Sequence, residues 1–208
     1  MRANVYFDGF NLYYGLLKDT VYRWLNLSEF CRLLLPKYQV QRIKYFTARV
    51  QAHPHDRQAP VRQQMYLRAL GTLPDVEIFY GQFSYHKVRM PRADGQGTAE
   101  VVKAEEKGSD VALAVHALHD AHTDQYDVAV IISNDSDIVP ALDIIRNGLG
   151  KQVHVLFPTC SKRKRWPCHD LKCASDGHKE IRNWALRQAQ FDNSLTDAIG
   201  TFHKPECW

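Results

Sequence analysis

The amino-acid sequence predicts an α/β fold with a mostly parallel, doubly wound sheet, and two observations lead to this expectation. Along the 208 residues, short runs rich in β-branched and aromatic residues alternate with longer segments of helical pattern, which is typical of successive strand–helix–strand units. The run Val128–Ile132 is short and wholly apolar, as expected for a strand that is covered on both faces. Helices are therefore expected on both sides of the sheet.

The first half of the chain is expected to contribute three strands and three helices. The strands are runs of β-branched and aromatic residues and lie at 3–7, 42–50 and 76–83. The helices show helical spacing or helix-start signals and lie at 11–17, 29–35 and 58–70. The basic stretch after Phe83 contains Pro91, Gly95 and Gly97, so an irregular connection is expected there.

The second half is expected to continue with two helices and two strands before a less regular tail. A helix is expected from Ser109, with an apolar stripe formed by Val111, Ala114, Val115 and Leu118. A strand at 127–132, a helix at 138–147 and a strand at 151–157 follow. Residues 1–158 are therefore expected to form the main domain. Residues 159–208 are expected to form a basic C-terminal extension that packs on the same domain.

The composition is that of a globular protein with a mild basic excess. Lys and Arg exceed Asp and Glu by 27 − 23 = 4, and hydrophobic residues make up 45% of the chain. This balance favours a folded chain over a disordered one and permits an anionic partner. The uncharged apolar runs are too short to cross a bilayer, and the first ten residues lack the pattern of a signal peptide. We therefore expect no membrane partner, and a cytoplasmic location in which the five cysteines stay reduced.

Four aspartates are expected to meet at one edge of the sheet. Asp8 follows the first strand, and Asp135 and Asp137 follow the strand that ends at Ile132. Asp110 lies in the first turn of a helix, which begins at the same edge when it follows a parallel strand. Like charges brought together repel unless a cation intervenes, and hard oxygen ligands favour Mg²⁺ or Mn²⁺. The pattern therefore favours metal-assisted hydrolysis of phosphodiester bonds.

Each of these residues also has a purely structural interpretation. Asp8 is typical of a tight turn, and Asp110 is typical of a helix terminus, where the helix dipole favours negative charge. Asp135 or Asp137 is suited to cap the helix that follows. The amide of Asn11 is suited either to bind a carboxylate or a substrate phosphate, or to cap a helix.

Three segments together resemble the acidic motifs of the NYN domain family, which belongs to the PIN-like nucleases. They are FDGFNL at 7–12, EEKGSDVAL at 105–113 and VIISNDSD at 130–137. The motifs occur in order, and the resemblance covers about residues 3–158, with a looser likeness in the tail at 186–191 and 204–208. It implies a PIN-like three-layer α/β/α fold and a metal-dependent ribonuclease.

Carried over by motif position, the resemblance implies an acidic site with one polar companion. The implied catalytic set is Asp8, Asn11, Asp110, Asp135 and Asp137, of which the four aspartates would hold Mg²⁺ or Mn²⁺. Ala112 stands where similar proteins often carry asparagine, so one secondary polar contact of the family is not expected here. The principal acids are all present, which argues against a dead nuclease.

Basic and aromatic side chains near the same edge are candidate RNA contacts. Cations bind phosphates, and a tryptophan can stack on an unpaired base. The candidates are Lys103, Lys107, Lys162, Arg163, Lys164, Arg165 and Trp166. The alternative for the basic run is a solvated loop beside a partly buried tryptophan.

Two hypotheses from different classes follow. The first is a Mg²⁺- or Mn²⁺-dependent ribonuclease that cleaves single-stranded RNA, with internal cleavage preferred over removal of terminal nucleotides. The second is an RNA- or partner-binding regulatory module whose acidic site is vestigial. Phosphoryl transfer on a small molecule is a weaker third interpretation, because acids in three separate segments fit metal-assisted hydrolysis better than an aspartyl-phosphate mechanism. The sequence pattern does not indicate whether the chain forms a homo-oligomer.

Overall fold

A seven-stranded, mostly parallel sheet forms the centre of the computed structural model, which describes residues 1–52, 55–159 and 166–208. Its strands are β1 (Arg2–Asp8), β2 (Gln39–Ala48), β3 (Val76–Pro91), β4 (Thr98–Lys107), β5 (Val128–Ile132), β6 (Gln152–Phe157) and β7 (Gly177–Glu180). Their order across the sheet is β4–β3–β2–β1–β5–β6–β7. β4 is antiparallel to β3, and the other neighbouring pairs among these described strands are parallel. A separate antiparallel pair is formed by β8 (Ser194–Asp197) and β9 (Gly200–His203).

Helices cover both faces of the seven-stranded sheet. One face carries α1 (Gly9–Leu12), continued by a π-helical segment (Tyr13–Leu17), α2 (Leu27–Leu34), α3 (Ala59–Leu70) and α7 (Asn183–Gln188). The other face carries α4 (Ser109–His122), α5 (Val139–Asp143), continued by a π-helical segment (Ile144–Gly148), and α6 (His169–Cys173). A short 3₁₀ turn (Ser136–Ile138) leads into α5. This three-layer arrangement confirms the predicted α/β fold class.

Strand β1 illustrates why the sheet is covered on both sides. Its residues from Ala3 to Asp8 are all buried. Val5 and Phe7 pack in the core beneath α1, α2 and α3, whereas Tyr6 packs in the core beneath α4 and α5. Successive side chains along a strand point to opposite faces, so this almost uninterrupted apolar run requires cover on both.

Helix α4 presents a different face to the sheet from the predicted one. Val111 and Val115 of the expected apolar stripe are 67% and 56% exposed, whereas Leu113 is buried in the core. Apolar residues occur around most of this helix, so their spacing alone does not select a face. A buried ion pair contributes to the selection: Lys44 Nζ of β2 lies 2.7 Å from Asp120 Oδ2 on the core-facing side of α4.

The segment expected to be irregular forms a β-hairpin instead. β3 continues to Pro91, and β4 returns with Thr98 paired opposite Pro91. Antiparallel pairing satisfies the backbone hydrogen-bonding groups of this exposed segment. Gly95 and Gly97 in the turn both have positive φ angles, of 73° and 79°, which glycine adopts without steric cost.

The C-terminal residues contribute to the same sheet and core. β7 pairs in parallel with β6, and Leu186 of α7 packs in the core that also contains Phe30 of α2. The indole Nε1 of the fully buried Trp24 donates to the Asp192 carbonyl at 2.8 Å. The sequence did not indicate β7, because Gly177–Glu180 is short and lacks the apolar alternation that marks a half-buried strand.

Candidate active site at the carboxyl edge of the sheet

The predicted acidic residues gather where the chain connections reverse direction across the sheet. From β1 the chain passes to β2 on one side, and from β5 it passes to β6 on the other, although β1 and β5 are direct neighbours. Asp8 is the last residue of β1, and Ser133 directly follows β5. A crevice at the carboxyl end of two such strands is the usual position for a ligand site in open α/β sheets.

Asp8 is held rigidly at this edge. It is 4% exposed, and its Oδ1 accepts a hydrogen bond from the Asn11 backbone amide at 2.8 Å. Its Oδ2 accepts from Asn11 Nδ2 at 2.5 Å and from Ser133 Oγ at 2.9 Å. Burial raises the pKa of Asp8, while these hydrogen bonds oppose the rise. Asn11 is therefore in direct contact with the first acid, and Asp8 also caps helix α1.

Ser133 connects Asp8 of β1 with the loop after β5 that carries Asp135 and Asp137, called the acidic loop below. Its hydroxyl donates to Asp8 and accepts from the Asp135 backbone amide at 3.1 Å. Asp135 Oδ1 in turn accepts from the Asp137 backbone amide at 3.0 Å and caps the 3₁₀ turn. Asp135 thus caps the turn that leads into α5, as its structural interpretation predicted. Sequence reasoning missed Ser133, although a hydroxyl directly after a buried strand is a recognisable signal.

Asp110, in the first turn of α4, lies close enough to the other acids to interact with their charges. Burial and the negative charges of Asp8, Asp135, Glu106 and Asp137 together raise the pKa of Asp110 to about 7. The fold has therefore brought carboxylates from distant parts of the sequence within electrostatic range of one another. Such an accumulation of negative charge is unfavourable unless it is balanced by protons or cations.

Glu106 is a further acid that sequence reasoning did not select. Its Oε1 accepts from the backbone amide and from the hydroxyl of Ser109, at 3.2 and 2.7 Å. Gly81 of β3 lies against this group, where a Cβ atom would clash with Glu106 Oε1. Glu106 therefore fixes the start of α4 through Ser109, which directly precedes Asp110.

The donor set suits a hard cation, but the side chains are not arranged as a closed metal site. Carboxylate oxygens are the ligands that Mg²⁺ and Mn²⁺ prefer, and the raised pKa of Asp110 reflects its burial together with the nearby negative charges. In the described ranges, however, no three Asp, Glu, His or Cys side chains are grouped closely enough to hold a metal ion. The acids thus fit the chemistry of a divalent cation and share one edge without surrounding a single point.

Asn134 links the acidic loop to the chain that returns after residue 165. Its Oδ1 accepts from the Cys168 backbone amide at 2.7 Å, and its Nδ2 donates to the Trp166 carbonyl at 3.0 Å. Trp166 is 73% exposed. The structure thus holds the backbone of an exposed tryptophan beside the loop that carries Asp135.

The remaining candidate RNA contacts lie partly outside this arrangement. Lys103 and Lys107 are exposed on β4 and pair with Glu105, at 2.5 and 3.8 Å. They therefore offer solvated rather than buried positive charge. The basic run at 162–165, which comprises Lys162, Arg163, Lys164 and Arg165, lies outside the described residues.

The three-layer architecture and its acidic edge define a protein with a PIN-like, nuclease-type fold. The sequence profile of the NYN domain matches residues 2–168, and the chain belongs to the NYN domain family.

Two similar proteins extend the comparison. The chain is 31% identical over 236 aligned residues to 6-hydroxy-3-succinoylpyridine 3-monooxygenase HspA of Pseudomonas putida, in an alignment that spans all of this chain and 75% of that protein. It is also similar to the crystal structure of a protein of unknown function from Vibrio parahaemolyticus, with a TM-score of 0.52 and 20% identity over 88% of this chain and 93% of the other. The second similarity concerns the fold alone.

Proposed function

We propose that this protein is a divalent-metal-dependent ribonuclease that cleaves single-stranded RNA internally. The observation that carries the proposal is the Ser133 hydroxyl, which joins Asp8 of β1 to the backbone of Asp135 after β5. This connection holds two acids of separate strands at the edge where α/β proteins bind ligands. Membership of the NYN domain family supports a nuclease-type activity.

In this proposal the four aspartates hold Mg²⁺ or Mn²⁺. Bound there, the cation would activate a water molecule and stabilise the leaving oxygen of the phosphodiester. Asp8, Asp110 and Asp135 contribute carboxylate ligands, and Asp137 contributes either a ligand or a hydrogen bond to the attacking water. Asn11 and Ser133 restrict Asp8 to one orientation through their hydrogen bonds. None of these residues forms a covalent intermediate.

RNA would approach this edge across exposed cations and one exposed aromatic ring. Trp166 offers its indole to an unpaired base, and Lys103 and Lys107 offer positive charge to phosphates. Further positive charge comes from the residues that directly precede Trp166 in the sequence, which are Lys162, Arg163, Lys164 and Arg165. We further propose that residues 1–158 form the nuclease domain and that 159–208 pack on it as an extension.

The setting proposed for the enzyme is the cytoplasm. Cys31, Cys168, Cys173 and Cys207, the cysteines among the described residues, are all free thiols, as is usual in a reducing compartment. Among the helices that the structure describes, none has the length and apolar character needed to cross a membrane.

Cleavage of a labelled single-stranded RNA tests the proposal directly. Wild-type protein, Asp135→Asn and the matched control Asp143→Asn are incubated with Mn²⁺, Mg²⁺ or EDTA, and circular dichroism verifies folding. Asp143 is an exposed acid at the far end of α5, so its variant should cleave normally. We expect metal-dependent cleavage that is lost only in Asp135→Asn, with product lengths showing internal cuts. Cleavage by Asp135→Asn at the wild-type rate would contradict the assignment of this site.

A binding module with a vestigial acidic site is the second candidate. It is favoured by the absence, in the described residues, of three acids grouped closely enough for a metal ion. Its signature would be RNA retention by a folded wild-type protein without metal-dependent cleavage. A filter-binding measurement on the same RNA and the same variants separates this outcome from hydrolysis.

A further inference from the structure

A cavity of about 430 Å³ opens beside the acidic edge, on the face of the sheet covered by α1 and α3. Its volume lies within the roughly 300–1,000 Å³ typical of small-molecule pockets. Six aromatic side chains contribute to its wall; they are Phe10, Tyr13, Tyr14, Tyr45, Tyr66 and Trp208. No step proposed for RNA hydrolysis uses this cavity.

Gly9 and Tyr45 connect the cavity to the acidic edge. Gly9 directly follows Asp8, and a Cβ atom there would come within 2.8 Å of the Tyr45 ring and 2.7 Å of the Phe46 carbonyl oxygen. Only glycine therefore allows the start of α1 to approach β2 this closely. Tyr45 also lines the cavity, so its phenol lies next to the residue that follows the first acid.

Other parts of the wall are fixed before any ligand binds. The Tyr66 hydroxyl donates to the Leu25 carbonyl at 2.9 Å. The ring of Trp208 packs against those of Tyr66 and Trp24, with centroid distances of 5.9 and 6.2 Å. A preformed wall favours binding, because little conformational freedom is lost, and its aromatic rings favour a ligand that itself carries an aromatic ring.

The charged residues that line the cavity are mainly positive. Lys18, Arg23 and Arg62 contribute cations, and Asp56, which pairs with Arg62, is the acid among the lining residues. Arg23 is held in place because its Nε donates to the Thr20 carbonyl at 2.9 Å. Its guanidinium also lies 5.7 Å from the centre of the Trp208 ring. The positive charge is therefore positioned against the aromatic wall.

We propose that this cavity binds a planar aromatic ring that carries an anionic group. The ring packs against the tyrosine and tryptophan side chains, and the anionic group faces Lys18 and Arg23. This chemistry is shared by a nucleotide, with its base and phosphate, and by a small heteroaromatic acid. The inference concerns a binding site separate from the four aspartates and does not depend on RNA hydrolysis.

Isothermal titration calorimetry with small probes tests this inference. UMP, AMP and nicotinate are titrated into the full chain, with uridine and inorganic phosphate as the matched ring-only and anion-only probes. We expect one site that binds at least one of the three anionic aromatic probes more tightly than uridine or phosphate. Binding of the nucleotides alone identifies a nucleotide site, and binding of nicotinate alone identifies a site for free aromatic acids; both outcomes support the proposal.

Variants place that binding in the cavity and separate it from catalysis. Arg23→Gln should weaken binding about tenfold or more, as expected for a lost hydrogen bond to a charged group. Arg32→Gln removes an exposed cation of α2 that pairs with Glu29 and should bind like wild type. Asp135→Asn should also retain binding, whether or not cleavage is observed. The proposal is overturned if the folded wild type binds no anionic aromatic probe at millimolar concentration, or if Arg23→Gln binds as well as Arg32→Gln.

Discussion

The Ser133 hydroxyl donates a 2.9 Å hydrogen bond to Asp8 Oδ2 across the junction between β1 and β5. The two residues are 125 positions apart in the sequence, and both are almost completely buried. Because the same hydroxyl accepts from the Asp135 amide, one oxygen atom sets the relative positions of two acidic segments.

Replacing Ser133 should impair the site more than the fold. Ser133→Ala removes a donor to Asp8 and an acceptor for the Asp135 amide, so the free energy of unfolding should fall by about 1 kcal/mol. If the lost orientation of Asp8 raises the activation free energy by a comparable amount, RNA cleavage should slow about fivefold. Urea unfolding and single-turnover cleavage measure the two effects. Ser136→Ala, at an exposed serine of the same loop, is the control, and equal effects of both changes would contradict this role.

The stability of the metal-free protein should decrease with increasing pH because of Asp110. Its pKa is about 7 in the folded chain, against an ordinary value of 3.8. Between these values the folded state keeps a proton that the unfolded state has released, so the free energy of unfolding falls as pH rises. The contribution is fully present below pH 3.8 and is lost as pH passes through about 7.

Thermal unfolding in EDTA measures this pH dependence. We expect Asp110→Asn to have a higher Tm than wild type at pH 8 and a similar Tm near pH 4. Adding Mg²⁺ at pH 8 should raise the Tm of wild type more than that of the variant, since a ligand stabilises the state that binds it. Asp143→Asn should follow wild type throughout. A wild-type advantage over Asp110→Asn at pH 8 without metal would refute the assigned charge repulsion.

The buried pair Lys44–Asp120 should contribute to stability and not to chemistry. Asp120 is 4% exposed and also accepts from the Tyr6 hydroxyl at 2.7 Å. Asp120→Ala leaves the Lys44 charge buried without its partner and should lower the free energy of unfolding by about 3–5 kcal/mol. The double variant Lys44→Met/Asp120→Leu should recover part of this loss. Denaturant unfolding measures both, and cleavage per folded molecule should be unchanged.

Removing the Asn134 side chain should weaken RNA binding more than the chemical step. Asn134→Ala eliminates the hydrogen bonds to the Trp166 carbonyl and the Cys168 amide, so the backbone that carries the Trp166 indole would no longer be held beside the acidic loop. We expect a KM raised about tenfold, corresponding to roughly 1–2 kcal/mol of base stacking, with kcat little altered. Asn147→Ala, at an exposed position after α5, provides the matched control. A change confined to kcat would instead indicate that Asn134 orients the acids.

Local sequence signals were sufficient for most of the sheet and insufficient for its margins. The apolar runs of β1 and β5 identified both strands, because a strand buried on two faces has few polar residues. The β3–β4 hairpin was missed because its residues are exposed and interrupted by proline and glycine, and its stability comes from pairing between strands. The core-facing side of α4 was mispredicted because it is selected partly by the buried pair of Asp120 with Lys44, a contact between residues 76 positions apart.

The sequence by itself determined the succession of most strands and helices along the chain, the family, and the aspartates that end or follow strands. Those properties depend on residue type and local spacing, which a single chain displays directly. The tertiary structure alone decided that Ser133 bonds to Asp8, that Glu106 lies within range of Asp110, and that aromatic rings from distant segments enclose a cavity with Arg23. These relationships arise from packing, because the distance between residues far apart in sequence is set only when the helices close over the sheet.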